Sequence, residues 1–240
     1  MKKQNFRIAA LLFAAAAGMT MVACKKEKPA EETMMKIVDL SNQPVFFNEK
    51  PVESFSEIDY SPTKSADMEL TCITDDNGDH YFDQDSTFFA FCTSNQMQSI
   101  YDNSPKLTQI HQKAVDLGLI DGDDVTYTST MEEYWQEVFG TSISTSMNSS
   151  RALYAVMYDN DNWSGDYVRG SSICRAKLGA MDNKTSSFAL YYGVGATVFC
   201  YEKWFGGVRR WIWLAGGNYA FSLSNHVDNN KYSSYFCVGL

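Results

Sequence analysis

The feature that most constrains this chain is an internal repeat in its last ninety residues. Residues 151–240 contain two copies of one pattern, with a period near 40. The first copy opens with Tyr158, four residues, Trp163, one residue, Gly165; the second opens with Phe199, four residues, Trp204, one residue, Gly206. Each copy closes on a shared string, Asp182-Asn183-Lys184-Thr185-Ser186-Ser187 and Asn229-Asn230-Lys231-Tyr232-Ser233-Ser234. Both strings read Asp/Asn, Asp/Asn, any, any, Ser, Ser. The step from glycine to string is 17 residues in the first copy and 23 in the second, which places a six-residue insertion near Trp211 to Ser222.

The repeat has a physical reading of its own. An aromatic and a Trp five residues later bracket a folded-over hairpin. The glycine suits a backbone position that a Cβ would crowd, or one with positive φ. Alternating strands with turn residues every 8 to 12 positions predict an all-β sandwich. Neither copy is large enough to bury its own face, so the two are expected to pack into one core. The closing strings offer hard oxygens: Asp, Asn and Ser side chains and local carbonyls, of which Ca²⁺ takes about six to eight. Read without metal, each string is a tight turn held by Asx and Ser hydrogen bonds.

This pairing of openings and closing strings resembles the βγ-crystallin Greek-key module of the microbial calcium-binding type. The resemblance covers residues 151–240 and none of the chain before them. It implies two four-stranded Greek keys packed as a sandwich, with two Ca²⁺ ions in a paired clamp. Each site takes the carbonyl of the third string residue and the hydroxyl of the fifth. An Asx side chain from the other string and a carbonyl near the opening hairpin complete it. Carried over, the first string supplies Asn183, Lys184 through its carbonyl, and Ser186. The second supplies Asn230, Lys231 through its carbonyl, and Ser233. The hairpin carbonyls fall near Asp159 and Cys200, with Asp182 and Asn229 as outer or turn-forming residues. The chain departs from the family in its long second key and in Cys200, where an acidic residue is common.

The opposite end of the chain reads as an address. Lys2, Lys3 and Arg7 precede an uncharged stretch from Ile8 to Cys24, which switches at once to Lys25-Lys26-Glu27-Lys28. The stretch is shorter than the roughly 20 apolar residues of a spanning helix and has the charge order of a secretory signal. Ala23-Cys24 at the switch resembles the lipobox of bacterial lipoproteins. That resemblance implies cleavage before Cys24 and acyl chains on its sulfur, which anchor without spanning. The expected place is membrane-anchored, in the periplasm or on the cell surface. Ordinary signal cleavage, with Cys24 incidental, is the alternative.

Charge narrows the partners. The chain carries 20 Lys and Arg against 29 Asp and Glu, a formal net charge of −9. Without Lys2, Lys3 and Arg7 the balance is 17 against 29, or −12. Nucleic acid is not an expected partner, because its affinity rests on basic residues neutralising phosphates. An anionic membrane surface would not hold it by charge alone.

Between these ends the chain divides into a tether (24–35), an α+β domain (36–140) and a Ser/Thr-rich linker (141–150). One more edge strand is the alternative reading of 141–150, since Thr and Ile favour strands. In the α+β domain, Met68–Thr74 alternates as a strand and Asn77-Gly78 reads as a hairpin turn. Tyr81-Phe82 and Thr87–Cys92 read as further strands. Ser104-Pro105 reads as N-cap and first residue of a helix that buries Leu107, Ile110, Ala114 and Val115 and stops at Gly118. Ser129 with Glu132 predicts a capping box for a helix to about Phe139.

Other constellations point less sharply. Asp75–Asp85 resembles an EF-hand loop but has His80 at the glycine position and ends in Asp85, so it reads as an acidic hairpin tip. Asp121-Gly122-Asp123-Asp124 reads as a turn. The chain has three histidines and neither an HExxH helix nor a GxSxG elbow. Trp204, Trp211 and Trp213 beside Arg209 and Arg210 read as core with snorkelling arginines, or as a carbohydrate or protein contact surface. Five cysteines remain after Cys24, and no bridge is assigned. Three readings follow. The first is a lipid-anchored, non-enzymatic protein with a structural Ca²⁺ module. The second is a protease inhibitor or other interaction module on the same fold. The third is an enzyme whose catalytic domain is 36–140, with a pocket built from Asp79, His80 and His111.

Overall fold

The structure, a computed structural model, describes residues 35–58, 68–121, 129–140, 154–161, 163–169, 174–191, 195–214 and 217–239. The signal segment, residues 24–34 of the tether, the turn residues 122–124 and the stretch 141–150 lie outside the described residues. Among those described, no helix is long and apolar enough to cross a membrane.

The first half supplies strands β1 (Lys36–Asp39), β2 (Val45–Phe47), β3 (Lys50–Val52), β4 (Thr71–Asp75) and β5 (Gly78–Phe82). Helices α1 (Asp85–Ser94), α2 (Gln98–Asp116) and α3 (Ser129–Phe139) follow. The expected β4–β5 hairpin forms, but Asp75 pairs with Gly78, so the turn residues are Asp76 and Asn77. Thr87–Cys92 is helical rather than extended. Phe88, Phe91 and Cys92 recur at helical spacing and are all buried, and that stripe overrides the β preference of the residues. Helix α2 starts six residues before Ser104, leaving Pro105 inside it. Burial of Ile100, Ser104, Leu107, Ile110 and Ala114 on one stripe outweighs the proline's missing donor, and Ser104 Oγ donates to the Ile100 carbonyl at 3.0 Å. Val115, expected on that stripe, is exposed. Gly118 ends α2 as expected, with Leu119 N–H donating to the Ala114 carbonyl. Helix α3 runs from Ser129 to Phe139 as expected.

The second half is all β: β6 (Tyr154–Asn160), β7 (Ser164–Arg169), β8 (Cys174–Arg175), β9 (Ser187–Tyr191), β10 (Gly195–Cys200), β11 (Arg209–Leu214), β12 (Tyr219–Ser222) and β13 (Ser234–Gly239). Strands β6 to β9 make the first key and β10 to β13 the second. Each key lends its third strand to the other. β12 joins β9, β6 and β7 in one sheet, while β8 joins β13, β10 and β11 in the other. This exchange locks the two keys into one wedge. The extra length of the second key is divided. Leu214 follows Gly206 by eight residues where Arg169 follows Gly165 by four, and β12 has four residues where β8 has two. Tyr158 pairs with Tyr167 and Cys200 with Arg209, nine residues apart in each key, so the opening hairpins match and most of the insertion follows Arg209, in the longer β11 and the stretch through β12, where the sequence placed it.

The first half builds onto both sheets of the wedge. β1 pairs in parallel with β12, and β4 pairs in parallel with β11. The larger sheet runs β3-β2-β5-β4-β11-β10-β13-β8, and the helices lie on its outer face. Side-chain alternation sorts the core into layers. Val198, Cys200, Trp211 and Phe236 face the helices. Phe199, Ile212, Tyr235 and Cys237 face the smaller sheet, where Phe188 and Phe221 meet them. Residues 35–240 form one unit, so the two domains expected on either side of 141–150 share a sheet and a core. The reason is burial: the helices close their apolar stripes on the second key rather than on a core of their own.

Candidate functional site

The two closing strings meet at one end of the wedge, and they do so reciprocally. Asn183 N–H donates to the Tyr232 carbonyl and Asn230 N–H donates to the Thr185 carbonyl, both at 3.0 Å. Asn183 and Asn230 both sit in the left-handed region, at φ of 54° and 59°. Asn tolerates that region better than most residues because its side chain bonds locally. The side chains cross between strings as well. Ser186 Oγ donates to Asn230 Oδ1 at 3.2 Å. Ser233 Oγ donates to Asp182 Oδ1 and lies 3.4 Å from Asn183 Oδ1. The two hydroxyls are buried, while Asn183, Lys184, Asn230 and Lys231 are exposed. Oxygens therefore converge at a place that opens to solvent.

The carbonyls sort in the same way. Those of Thr185 and Tyr232, at the fourth string positions, are used by the opposite string. Those of Lys184 and Lys231, at the third, accept no backbone hydrogen bond among the described residues. No group of three or more His, Cys, Asp or Glu among the described residues could hold a metal ion. A cation here would have to be held by hydroxyl, amide and carbonyl oxygens. The donor set fits a hard, weakly bound ion such as Ca²⁺.

The opening hairpins flank the strings. Ser186 N–H donates to the Tyr158 carbonyl and Ser233 N–H to the Cys200 carbonyl. Aligned by sequence, Tyr158 matches Phe199; aligned by pairing, it matches Cys200, because Tyr158 faces Ser187 and Cys200 faces Ser234. The ladder shifts at Asp159, between Tyr158 and Asn160, and this bulge absorbs the offset. The Cys200 carbonyl, carried over as a ligand, is already engaged by the ladder. The motif glycines sit in crowded places. A Cβ on Gly165, at φ 85°, would lie 2.1 Å from Asp159 Oδ1, and one on Gly206 would lie 2.2 Å from the His111 ring.

The strings differ in their charges. Asp182 Oδ2 lies 3.3 Å from Lys203 Nζ, both side chains being largely covered. Asn229, read as an outer residue, has a buried Oδ1 with no hydrogen-bond partner, and so do Asp159 and Asp161 in the first hairpin.

A second cluster was not foreseen from the sequence. Arg210, expected to snorkel, is 1% exposed. Its guanidinium meets Asp79 at 2.8 Å, the Thr74 hydroxyl at 2.6 Å and the Tyr81 hydroxyl at 2.5 Å, and its Nε donates to Asp228. Tyr201 and Tyr232 also donate to Asp228, and His226 Nε2 lies 3.3 Å from Asp79. Burial pushes the Asp79 carboxyl up, but the Arg210 charge and the His226 contact outweigh it and hold it at about 2. Burial likewise works against the charged form of Asp228, and again Arg210 prevails and lowers its pKa. The cluster joins β4 and β5 of the first half to β11 and the loop before β13. A sequence signal did exist: in Arg209-Arg210-Trp211-Ile212, strand alternation puts Arg210 on the same inward face as Ile212. Arg209 is buried too, 2.8 Å from a Glu69 carboxylate oxygen and donating to the Phe205 carbonyl and the Thr108 hydroxyl. Of the tryptophans, Trp204 and Trp211 are fully buried and Trp213 is half-buried.

Asp79, His80 and His111 do not form a common pocket. His80 neighbours Asp75 and Glu49, whereas His111 reaches the Lys203 carbonyl and Glu202. Cys72, Cys92, Cys200 and Cys237 are free and buried, and burial raises the last three thiols to about 12.

No family model and no curated protein matches the chain. Among solved structures, a βγ-crystallin from an Archaea is 21% identical, with a TM-score of 0.30, over 36% of this chain and 99% of its own. A structure described under the evolution of the eye-lens βγ-crystallin domain fold is 13% identical, with a TM-score of 0.31, over 36% of this chain and 86% of its own. Overlaps this loose carry no functional weight. The strand order does the work: two four-stranded keys that exchange their third strands give residues 154–239 a βγ-crystallin-like fold.

Proposed function

We propose that this chain is a lipid-anchored extracytoplasmic protein whose crystallin-like wedge binds Ca²⁺ as a structural ion. What carries the reading is the reciprocal crossing of the strings, with Ser186 on Asn230, Ser233 on Asp182 and Asn183, and the Lys184 and Lys231 carbonyls left without backbone partners. In this role the string oxygens hold the ion, and the ion ties together loops that otherwise rest on a few hydrogen bonds. Few carboxylates stand at the strings, so affinity falls on the order of 10⁻⁵ to 10⁻³ M.

The test is thermal. At ~100 times Kd an ion that binds only the folded chain stabilises it by about 2.7 kcal/mol. For a unit of this size each kcal/mol moves the midpoint by ~2–4 °C. The chain from residue 25 onward should melt roughly 5–10 °C higher in saturating Ca²⁺ than in chelator, and Ser186→Ala should remove most of that gain. Equal midpoints with and without Ca²⁺, together with no calorimetric binding at millimolar metal, would return both strings to the status of turns. The anchor is tested separately by fatty-acid labelling, which Cys24→Ala should abolish; an unlabelled wild type would refute it.

A further inference from the structure

We propose that the clamp takes a single Ca²⁺, on the Ser186 side, and that the ammonium of Lys203 stands in for the second ion. The inference rests on the calcium reading above and departs from the symmetric pair that the repeat implies. On the Ser233 side, Asp182 is the one carboxylate in either string. One of its oxygens accepts from Ser233 Oγ, and the other lies 3.3 Å from Lys203 Nζ. The two side chains are only 17% and 20% exposed, so water screens that contact weakly. A tethered cation already neutralises the group that a divalent ion would need most. The other nearby carboxylate of this hairpin, Glu202, is turned to His111, 3.4 Å away.

The Ser186 side is arranged oppositely. Its hairpin carries Asp159 and Asp161, each with a buried carboxylate oxygen that has no hydrogen-bond partner. Asp159 directly follows Tyr158, whose carbonyl holds the Ser186 N–H. Counting four residues from each opening aromatic, the position of Lys203 is held in the first copy by Asn162, which is neutral. Among the described residues the carboxylates of the first hairpin form no ion pair, whereas the carboxylate of the Ser233 side is spent on Lys203.

Native mass spectrometry and calorimetry on the chain from residue 25 onward, with Ca²⁺ as the only added metal, decide the matter. The expected stoichiometry is one ion for wild type, none for Ser186→Ala and one for Ser233→Ala. Lys203→Gln should admit a second ion, and Lys203→Met, which keeps the side-chain length without the charge, should do the same. Two ions on wild type would overturn the inference while leaving the calcium reading intact. One ion in both Lys203 variants would overturn the role of Lys203, and a wild-type ion lost in Ser233→Ala but kept in Ser186→Ala would overturn the choice of side. No ion on any of these proteins would remove this inference and the calcium reading together.

Discussion

The two keys share one sequence pattern but live in different surroundings. Among the described residues the first key's sheet ends at β7, and Tyr167 on that strand is 62% exposed. In the second key the equivalent strand, β11, continues into β4, and helices cover its outer face. The repeated Trp follows suit. Trp163 is half-buried, while Trp204 is fully buried and donates from Nε1 to the Leu119 carbonyl at 3.1 Å. Val208 and the two buried arginines lie where the first half docks. A repeat therefore fixes how a module closes on itself. It leaves open what each copy does with its outer face, because that face answers to whatever packs there.

The largest expected effect comes from removing that cover. Residues 151–240 expressed alone should not give a monomeric, cooperatively unfolding wedge, because Trp204, Phe205, Trp211 and Phe236 would lose the helices that bury them. Fully burying one such side chain contributes about 1.5–3 kcal/mol, so the four together, about 6–12 kcal/mol, are as large as the ~5–15 kcal/mol by which a domain is stable. Sedimentation and a thermal scan of the fragment check this; a sharp monomeric transition would make the second key as self-sufficient as its sequence pattern suggests.

A single substitution should sharpen the contrast. Arg210→Met leaves Asp79 and Asp228 buried without their cation, and breaking a buried pair in this way costs about 3–5 kcal/mol. Tyr167→Ser, on the exposed strand of the first key, should stay within about 0.5 kcal/mol. Urea unfolding of both variants measures the difference, and comparable losses would erase the distinction between the keys.

The smallest effect is a pH dependence at the cluster where the first half covers the second key. The folded Asp79 carboxyl titrates at about 2, below its unfolded value of 3.8. Its contribution to stability is therefore present above the unfolded value and lost as pH falls from near 4 towards 2. A depression of this size corresponds to about 2–3 kcal/mol. Asp79→Asn should flatten the acid limb of the stability profile over that interval, measured by urea unfolding between about pH 2 and 5, and an unchanged limb would remove Asp79 from the account.

The chain by itself determined the two keys, their closing strings and the need for glycine at Gly165. Strand alternation, turn chemistry and the positive φ of Gly165 are local matters, whereas the crowding at Gly206 comes from His111, which α2 brings there. Helix α3 and the end of α2 at Gly118 were legible because they too are local. Three things were decided only by tertiary structure. Residues 87–92 became helical because their apolar stripe found a partner surface. Pro105 was absorbed into α2 because burial of the whole stripe outweighed one lost hydrogen bond. Arg210 went inside because Asp79, 131 residues earlier in the chain, arrives beside it when β4 pairs with β11. No local pattern encodes that approach. A buried charge is tolerated only where a partner of opposite sign stands, and strand pairing across the sheet is what brings the partner there.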